Sequence, residues 1–206
     1  MDIWPAIHTE RHALIGDLSG LTEERWSTPS LCPGWSIEDV VAHMVATARM
    51  APPRFFVKLA GSGFRFHAMS ANNIREERER AASGAGVLAA LQSLADATDH
   101  PPGPLGAMLG EAVVHGEDVR RPLGVDRRYP DEVLTAVADF FKSSNLLLGG
   151  KRRVSGLHLR ATDVDWSSGS GPEVTGPMKS LVIVIAGRRA GLDDLAGEGV
   201  ARLRAR

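Results

Sequence analysis

The chain has 206 residues, of which 43% are hydrophobic and 24% charged, and its formal net charge is -1. A charge so close to zero excludes a strong overall attraction to nucleic acid or to an anionic membrane. The single cysteine, Cys32, excludes an intramolecular disulfide and favours a reducing cytoplasm. No signal peptide is evident, because charges interrupt the N-terminal segment, and the most apolar run, SLVIVIAG, is too short to cross a bilayer. We therefore expect a soluble cytoplasmic protein that binds neither nucleic acid nor membrane, and the composition does not distinguish a monomer from a homodimer.

Helical periodicity dominates the chain up to residue 148. Residues 2–18 place apolar side chains on one face, and a loop rich in Ser, Pro and Gly, STPSLCPGWS, follows. Ser36 then has the properties of a helix N-cap, with Asp39 as its capping partner, and the helix should run to about Met50. Further helices are predicted in RFFVKLAG, NNIREERERAASG, VLAALQSLADAT, residues 105–121 and DEVLTAVADFFKSSNLLL.

The pattern changes after GGKRR. GLHLRAT alternates with the period of a strand, and VARLRAR alternates in the same way and is predicted as a second strand. SSGSGPEVTG is predicted as a glycine-rich turn region, and Pro177 at the start of PMKSLVIVIAG favours a buried helix there. We therefore predict a mainly α protein, with a helical domain over residues 1–150 and a small α+β domain over residues 151–206.

Two predicted helices carry polar residues that could bind a metal. VVAHMVATA is apolar almost all round, so its helix should be buried, with His43 on the flank of the apolar stripe. A buried imidazole needs a hydrogen-bond partner or a metal. In LGEAVVHGEDVRRPLG, Glu111 and His115 are one helical turn apart and point the same way. Taken singly, His43 is more typical of a satisfied core histidine, and Glu111 and His115 of a boundary pair.

Taken together, the three residues match metal chemistry. Two histidines and one carboxylate with an open fourth position form the pattern of catalytic zinc, and non-haem iron uses a similar triad. A pair at i and i+4 with a third ligand from a neighbouring helix is a standard way to build such a site in a helical bundle. The sequence has no His-Glu-x-x-His motif, which argues against a metalloprotease.

Other residues have weaker patterns. His8 and His12 are also one turn apart, in a polar setting typical of a solvated surface pair. Cys32 precedes a helix N-terminus that could make it redox-active, although a buried structural thiol is the simpler interpretation. Asp118 lies one turn after His115 and could either orient that ligand or form an ion pair with an arginine.

The segments SLCPGWSIEDVVAHM and GEAVVHGEDVRRPLG resemble the two signature segments of the mycothiol-dependent maleylpyruvate isomerase family. The tail that begins at GLHLRAT resembles the C-terminal domain of that family, which is related to sterol carrier proteins. The resemblance covers most of the chain in the right order and is weakest over residues 50–86. It implies a DinB-like metal-binding four-helix bundle followed by a sterol-carrier-like domain.

The resemblance also implies a metal and a thiol cofactor. The family holds zinc with a histidine on its second helix and a Glu-x-x-x-His pair on a later one, which match His43, Glu111 and His115. Its thiol is mycothiol, whose thiolate adds to the cis double bond of maleylpyruvate. We therefore expect a zinc-dependent, mycothiol-using isomerase or S-transferase, with hydrolysis as a further possibility. The alternative is a protein of the same fold that binds a structural metal or a small apolar ligand without turnover.

The substrate of the resembled enzyme is a dianion, which requires a cationic partner. The resemblance implies an arginine from the C-terminal domain. Arg160, Arg188 and Arg189 are the candidates, and the sequence does not single out one of them.

Overall fold

The computed structural model describes residues 2–146 and 148–206. These residues form two compact units, 2–126 and 127–206. The first unit is helical, and the second combines helices with a three-stranded sheet. The predicted fold class, mainly α with a small α+β C-terminal part, is confirmed. The units divide before residue 131, where a further helix begins, whereas the predicted boundary at residue 150 places that helix with the bundle.

The helical unit is built around α3. Its helices are α1 (Ile3–Leu18), α2 (Glu23–Trp26), α3 (Ile37–Ala48), α4 (Pro52–Gly61), α5 (Phe66–Ala81), α6 (Gly84–Gln92) and α7 (Leu105–Leu123). Helix α3 packs against α5, α6 and α7, and α1 packs against α6 and α7. The apolar stripes meet in one core, to which Leu14, Val41, Leu91 and Val119 contribute. This arrangement places α1, α3, α7 and the α5–α6 pair as the four components of a bundle.

The start of α3 follows from its capping residues. The Ser36 hydroxyl accepts a hydrogen bond from the Asp39 backbone N–H, and the Asp39 carboxylate accepts one from the Ser36 backbone N–H. The predicted capping box is therefore confirmed. Both backbone donors are satisfied, so the helix begins at a fixed residue and sets the rotation of His43.

The end of α7 connects this helix to the loop before α3. Pro122 lies in the last turn of α7 and has no N–H to donate to the carbonyl of Asp118, four residues earlier. The backbone N–H of Leu31 bonds to that carbonyl instead, at 3.1 Å. Because Pro122 leaves this carbonyl available, the hydrogen bond from Leu31 holds the loop that carries Cys32 and Trp35 against α7.

The second unit contains α8 (Asp131–Ser143), α9 (Gly150–Val154), β1 (His158–Ala161), β2 (Ser167–Gly169), β3 (Glu173–Gly176), α10 (Met178–Ile185), a 3-10 helix (Arg189–Asp194) and α11 (Val200–Arg204). The strand order is β2-β1-β3, with β1 antiparallel to β2 and parallel to β3. Helix α10 is buried and packs against α8 and the 3-10 helix. The helix favoured by Pro177 is therefore confirmed.

Three details of the second unit differ from the sequence predictions. VARLRAR forms helix α11 and not a strand; only Leu203 is buried in it, so the alternation of Arg with apolar residues does not reflect a sheet face. SSGSGPEVTG contains β2 and β3, whose single fully buried side chain, Val174, pairs with Leu159 of β1. Helix α8 ends at Ser143, earlier than predicted, and Leu147 of the predicted helix lies outside the described residues.

Within the described ranges, no helix combines the length and apolarity needed to cross a membrane.

Candidate metal centre

His43 of α3 and His115 of α7 face each other across the seam between the two helices. Their ring centroids lie 5.1 Å apart, and their planes are nearly perpendicular, at 79°. Trp35 lies beside both rings, with centroids 5.2 Å from His43 and 6.4 Å from His115. The fold therefore brings two of the three predicted ligands together and covers them with an aromatic side chain.

Glu111 lies one turn before His115 on α7 and is connected to the same face of α3. The Thr47 hydroxyl, one turn after His43, donates a hydrogen bond to its carboxylate. Burial raises the pKa of Glu111 to about 7, although the charges of His115 and Arg11 and the bond from Thr47 act in the opposite direction. The pKa of Glu111 stays raised despite these two neighbouring cations, so a divalent cation would stabilise its ionised form further.

His115 is oriented by Asp118. The Nδ1 atom of His115 lies 2.8 Å from Oδ2 of Asp118, whose side chain is fully buried. Burial lowers the pKa of His115, but hydrogen bonds to Asp118 and Cys32 outweigh it and raise the pKa to about 9. A ring whose Nδ1–H donates to a carboxylate presents Nε2 to a metal. In His43, Nδ1 similarly lies 3.5 Å from the Ser70 hydroxyl.

The residue types of the predicted ligand set suit a metal, but their donor atoms are too far apart to bind one ion as they stand. The donor atoms of His43, Glu111 and His115 do not all lie within 4.8 Å of one another. Binding of one ion by all three residues therefore requires an adjustment of the side chains. That these residues bind a metal stays a prediction.

A second group of residues near His115 consists of Cys32, His115 and Asp118, whose donor atoms do lie within 4.8 Å of one another. The Cys32 thiol donates to Asp118 Oδ2 at 3.0 Å and lies 3.8 Å from His115 Nδ1. The 2.8 Å between His115 and Asp118 is a hydrogen-bond distance. Two ligands of a tetrahedral zinc, with bonds of about 2.0 Å, lie about 3.3 Å apart. We therefore interpret this group as a set of hydrogen-bond partners that orients His115. The part that Cys32 plays in it was not predicted from the sequence.

The remaining candidate residues have local partners. His12 Nε2 lies 2.9 Å from Asp96 on the surface, as expected of a solvated pair, and His8 lies 4.0 Å from the same carboxylate. In the second unit, Arg160 pairs with Glu173, while Arg188 and Arg189 donate to the backbone carbonyls of Ala186 and Arg204. Each of the three arginines thus has a partner in its own unit.

A small, partly open pocket lies beside His43, between α3, α4 and α5. Its ten lining residues are six apolar ones, Ala46, Met50, Phe55, Phe66, Met69 and Pro101, and four polar ones, His43, Thr47, Ser70 and Asn73. Two of them connect the pocket to the candidate metal centre, because His43 is a predicted ligand and Thr47 bonds to Glu111. The pocket is therefore a candidate substrate site.

Comparison with known proteins finds, for part of the helical unit, the family that the segment SLCPGWSIEDVVAHM resembles. Residues 7–101 match the family model of the mycothiol maleylpyruvate isomerase N-terminal domain. Crystal structures of the mycothiol-dependent maleylpyruvate isomerase and of a variant with a histidine replaced by alanine have the same fold, with TM-scores of 0.58 and 0.57 and sequence identities of 17% and 16%. Each comparison covers 96% of this chain and 92% of the solved one. A search of the curated proteins gave no significant match.

Proposed function

Since residues 7–101 carry the mycothiol maleylpyruvate isomerase N-terminal domain, which confirms the predicted family resemblance, we propose that this protein is a metal-dependent enzyme that uses mycothiol on a small electrophile. The observation that carries the proposal is the approach of the His43 and His115 rings, whose centroids lie 5.1 Å apart, beside the half-buried carboxylate of Glu111. The reaction is cis–trans isomerisation or S-transfer. The single cysteine of the chain agrees with a cytoplasmic location for such an enzyme.

In this proposal, His43, Glu111 and His115 hold a divalent metal, and two nitrogens with one oxygen are ligands that suit zinc. When bound, the metal would favour the thiolate form of mycothiol at neutral pH. Asp118 holds the Nδ1–H of His115, and Thr47 holds the carboxylate of Glu111. Trp35 shields both histidines from water on one side.

The proposed isomerisation needs no oxidant or reductant. The thiolate sulfur forms a bond to one carbon of the cis double bond. The π electron pair of the double bond moves onto the adjacent carbonyl group. Rotation about the new single bond follows, and elimination then breaks the carbon–sulfur bond and restores the double bond in the trans form. If a proton is added to the carbon before elimination, the sulfur stays attached and the outcome is S-transfer.

The apolar pocket beside His43 would also suit a protein that binds a small apolar ligand without turnover. A metal held only for structure belongs to the same alternative. Thiol-dependent turnover separates the two proposals, because a binding protein would retain its metal or ligand and convert no electrophile in the presence of mycothiol.

The test is metal analysis of the purified protein and of a His115→Ala variant, combined with assays of mycothiol-dependent conversion of maleylpyruvate, which report isomerisation, and of mycothiol consumption, which report S-transfer. We expect about one zinc per wild-type chain and a loss of most of it in the variant, because one of three ligands is removed. His12→Ala is the matched control, since this exposed histidine pairs with Asp96 outside the site. A wild type without metal, or a His115→Ala variant with full metal content, contradicts the proposed ligand set.

A further inference from the structure

Among the described residues, the ten that line the pocket beside His43 include no Arg or Lys, and their buried polar members, Thr47 and Asn73, are uncharged. We infer, on the basis of the proposed function, that the electrophile it accepts is uncharged and largely apolar, in contrast to a dicarboxylate such as maleylpyruvate.

Charges around the pocket disfavour an anion. The Thr47 hydroxyl that lines one wall donates to Glu111, so a carboxylate lies next to that wall. Arg49, which follows the last residue of α3, is close in sequence to the pocket residues but pairs with the buried carboxylate of Glu77 at 2.7 Å. On α4, Lys58 pairs with Glu76. An anion that enters the pocket therefore loses its hydration without gaining a partner from these helices.

The rim supplies no cation to the interior either. Arg54 and Arg65 precede the lining residues Phe55 and Phe66, but both are exposed to solvent and do not line the pocket. The proposed metal centre leaves no excess charge, since a divalent ion, one carboxylate and one thiolate sum to zero. A substrate with two carboxylates would therefore gain no cationic partner from the described residues that line this pocket.

The chemistry proposed above needs only an activated cis double bond, which an uncharged molecule can carry. A dialkyl maleate has the double bond and the carbonyl groups of maleate without its charges. Addition of the thiolate, rotation and elimination would convert it to the dialkyl fumarate, with every atom of the thiol recovered. The alkyl groups would contact apolar lining residues, namely Met50, Phe55, Phe66 and Met69. This contact favours the diester over the dianion.

Binding is measured first, with saturated analogues that cannot react. Dimethyl succinate and succinate are titrated into the purified protein and observed by ligand-detected NMR at neutral pH. We expect the diester to bind about tenfold or more tightly than the dianion, because an unpaired buried carboxylate is strongly disfavoured. Equal or tighter binding of succinate overturns the inference, as does the absence of binding by the diester.

A charge introduced at the rim tests whether this pocket is responsible. Phe66 lines the pocket but is 47% exposed, so Phe66→Arg should fold normally. We expect the preference for dimethyl succinate to fall by about tenfold in this variant. Phe56→Arg is the matched control, because Phe56 is 60% exposed on α4 and does not line the pocket. An unchanged preference in Phe66→Arg, or an equal change in the control, overturns the assignment to this pocket.

Turnover separates the inference from the proposed function. The protein, with mycothiol, is assayed for the conversion of dimethyl maleate and of maleylpyruvate. Conversion of dimethyl maleate at the higher kcat/KM supports both the function and the inference. Preferred conversion of maleylpyruvate supports the function and overturns the inference. If neither compound reacts, the proposed function fails, and the binding experiment still decides whether the pocket prefers uncharged ligands.

Discussion

The position of the His115 ring depends on one buried acceptor, the carboxylate of Asp118. That carboxylate has a second donor, the thiol of Cys32, and its own backbone carbonyl bonds to Leu31. The His115 ring and the loop before α3 are therefore both held by one residue, Asp118. Because outer hydrogen-bond partners fix the tautomer and orientation of a metal-binding histidine, we expect Asp118 to be a positioning residue.

Asp118→Asn tests this role with little change in shape. We expect the zinc affinity to fall by roughly 10- to 100-fold, and the pKa of His115 in the metal-free protein to move down from about 9, because the charged acceptor is lost. Chelator competition measures the affinity, and an NMR titration measures the pKa. Cys32→Ala keeps the bond between Asp118 and His115 and should have the smaller effect. Wild-type zinc affinity in Asp118→Asn would contradict the role.

The sequence could predict His43, Glu111 and His115 as candidates because helical spacing and apolar flanks are local properties. The contact of Cys32 with Asp118 could not be predicted in the same way. Because Pro122 has no N–H, the Asp118 carbonyl accepts a hydrogen bond from Leu31 in the loop before α3. The contact also requires that residues more than 80 positions apart in the sequence come together in the fold. Periodicity does not report such contacts.

Among the elements, α3 was the most predictable because its signals agree. An N-cap serine, an aspartate three residues later and an apolar run of helical period all indicate the same start. α11 shows the opposite case. Its five residues contain one buried side chain, Leu203, and a single buried residue cannot distinguish a period of 2 from a period of 3.6.

The junction between α2 and α6 depends on a glycine that allows close packing. A Cβ atom on Gly84, the first residue of α6, would lie 2.1 Å from Cγ of Trp26, whose side chain is fully buried. We expect Gly84→Ala to lower the free energy of unfolding by about 1–3 kcal/mol, because a rigid ring in a packed core must move. Urea denaturation followed by tryptophan fluorescence measures the change.

Gly16→Ala is the control for this substitution. Gly16 lies in α1, and a Cβ there meets no atom within 4 Å. The helix propensity of alanine should raise the free energy of unfolding by up to about 1 kcal/mol. Stabilisation by Gly84→Ala, or equal effects of the two substitutions, would show that Trp26 does not constrain the start of α6.

At the scale of the whole molecule, the fold class follows from the sequence, but the division into units does not. The change from helical to strand period after residue 150 marks where the sheet begins. Helix α8 nevertheless packs against α10 and α9, so the compact C-terminal unit starts at residue 127. Its apolar stripe, with Val133, Val137 and Phe141, is also typical of a bundle helix, and the pattern does not specify which core the stripe joins.

The metal-free protein should become less stable as the pH rises. The pKa of Glu111 is raised from 4.5 to about 7, and that of His115 from 6.5 to about 9. A group whose pKa is raised by folding stabilises the fold below its unfolded-state pKa, and this contribution is lost as the pH rises through the folded-state pKa. The contribution of Glu111 is therefore lost between pH 4.5 and 7, and that of His115 between pH 6.5 and 9. Each loss is at most on the order of 3 kcal/mol.

Urea midpoints at pH 5, 7 and 9, in chelator and in saturating zinc, measure this dependence. Zinc binds only the deprotonated ligands, so its stabilising effect should grow over the range in which the metal-free protein weakens. Glu111→Gln isolates one contribution, because the amide does not titrate and should flatten the decline between pH 4.5 and 7. If this variant declines with the wild-type slope, Glu111 has an ordinary pKa, and the argument that a divalent cation would stabilise its ionised form further fails.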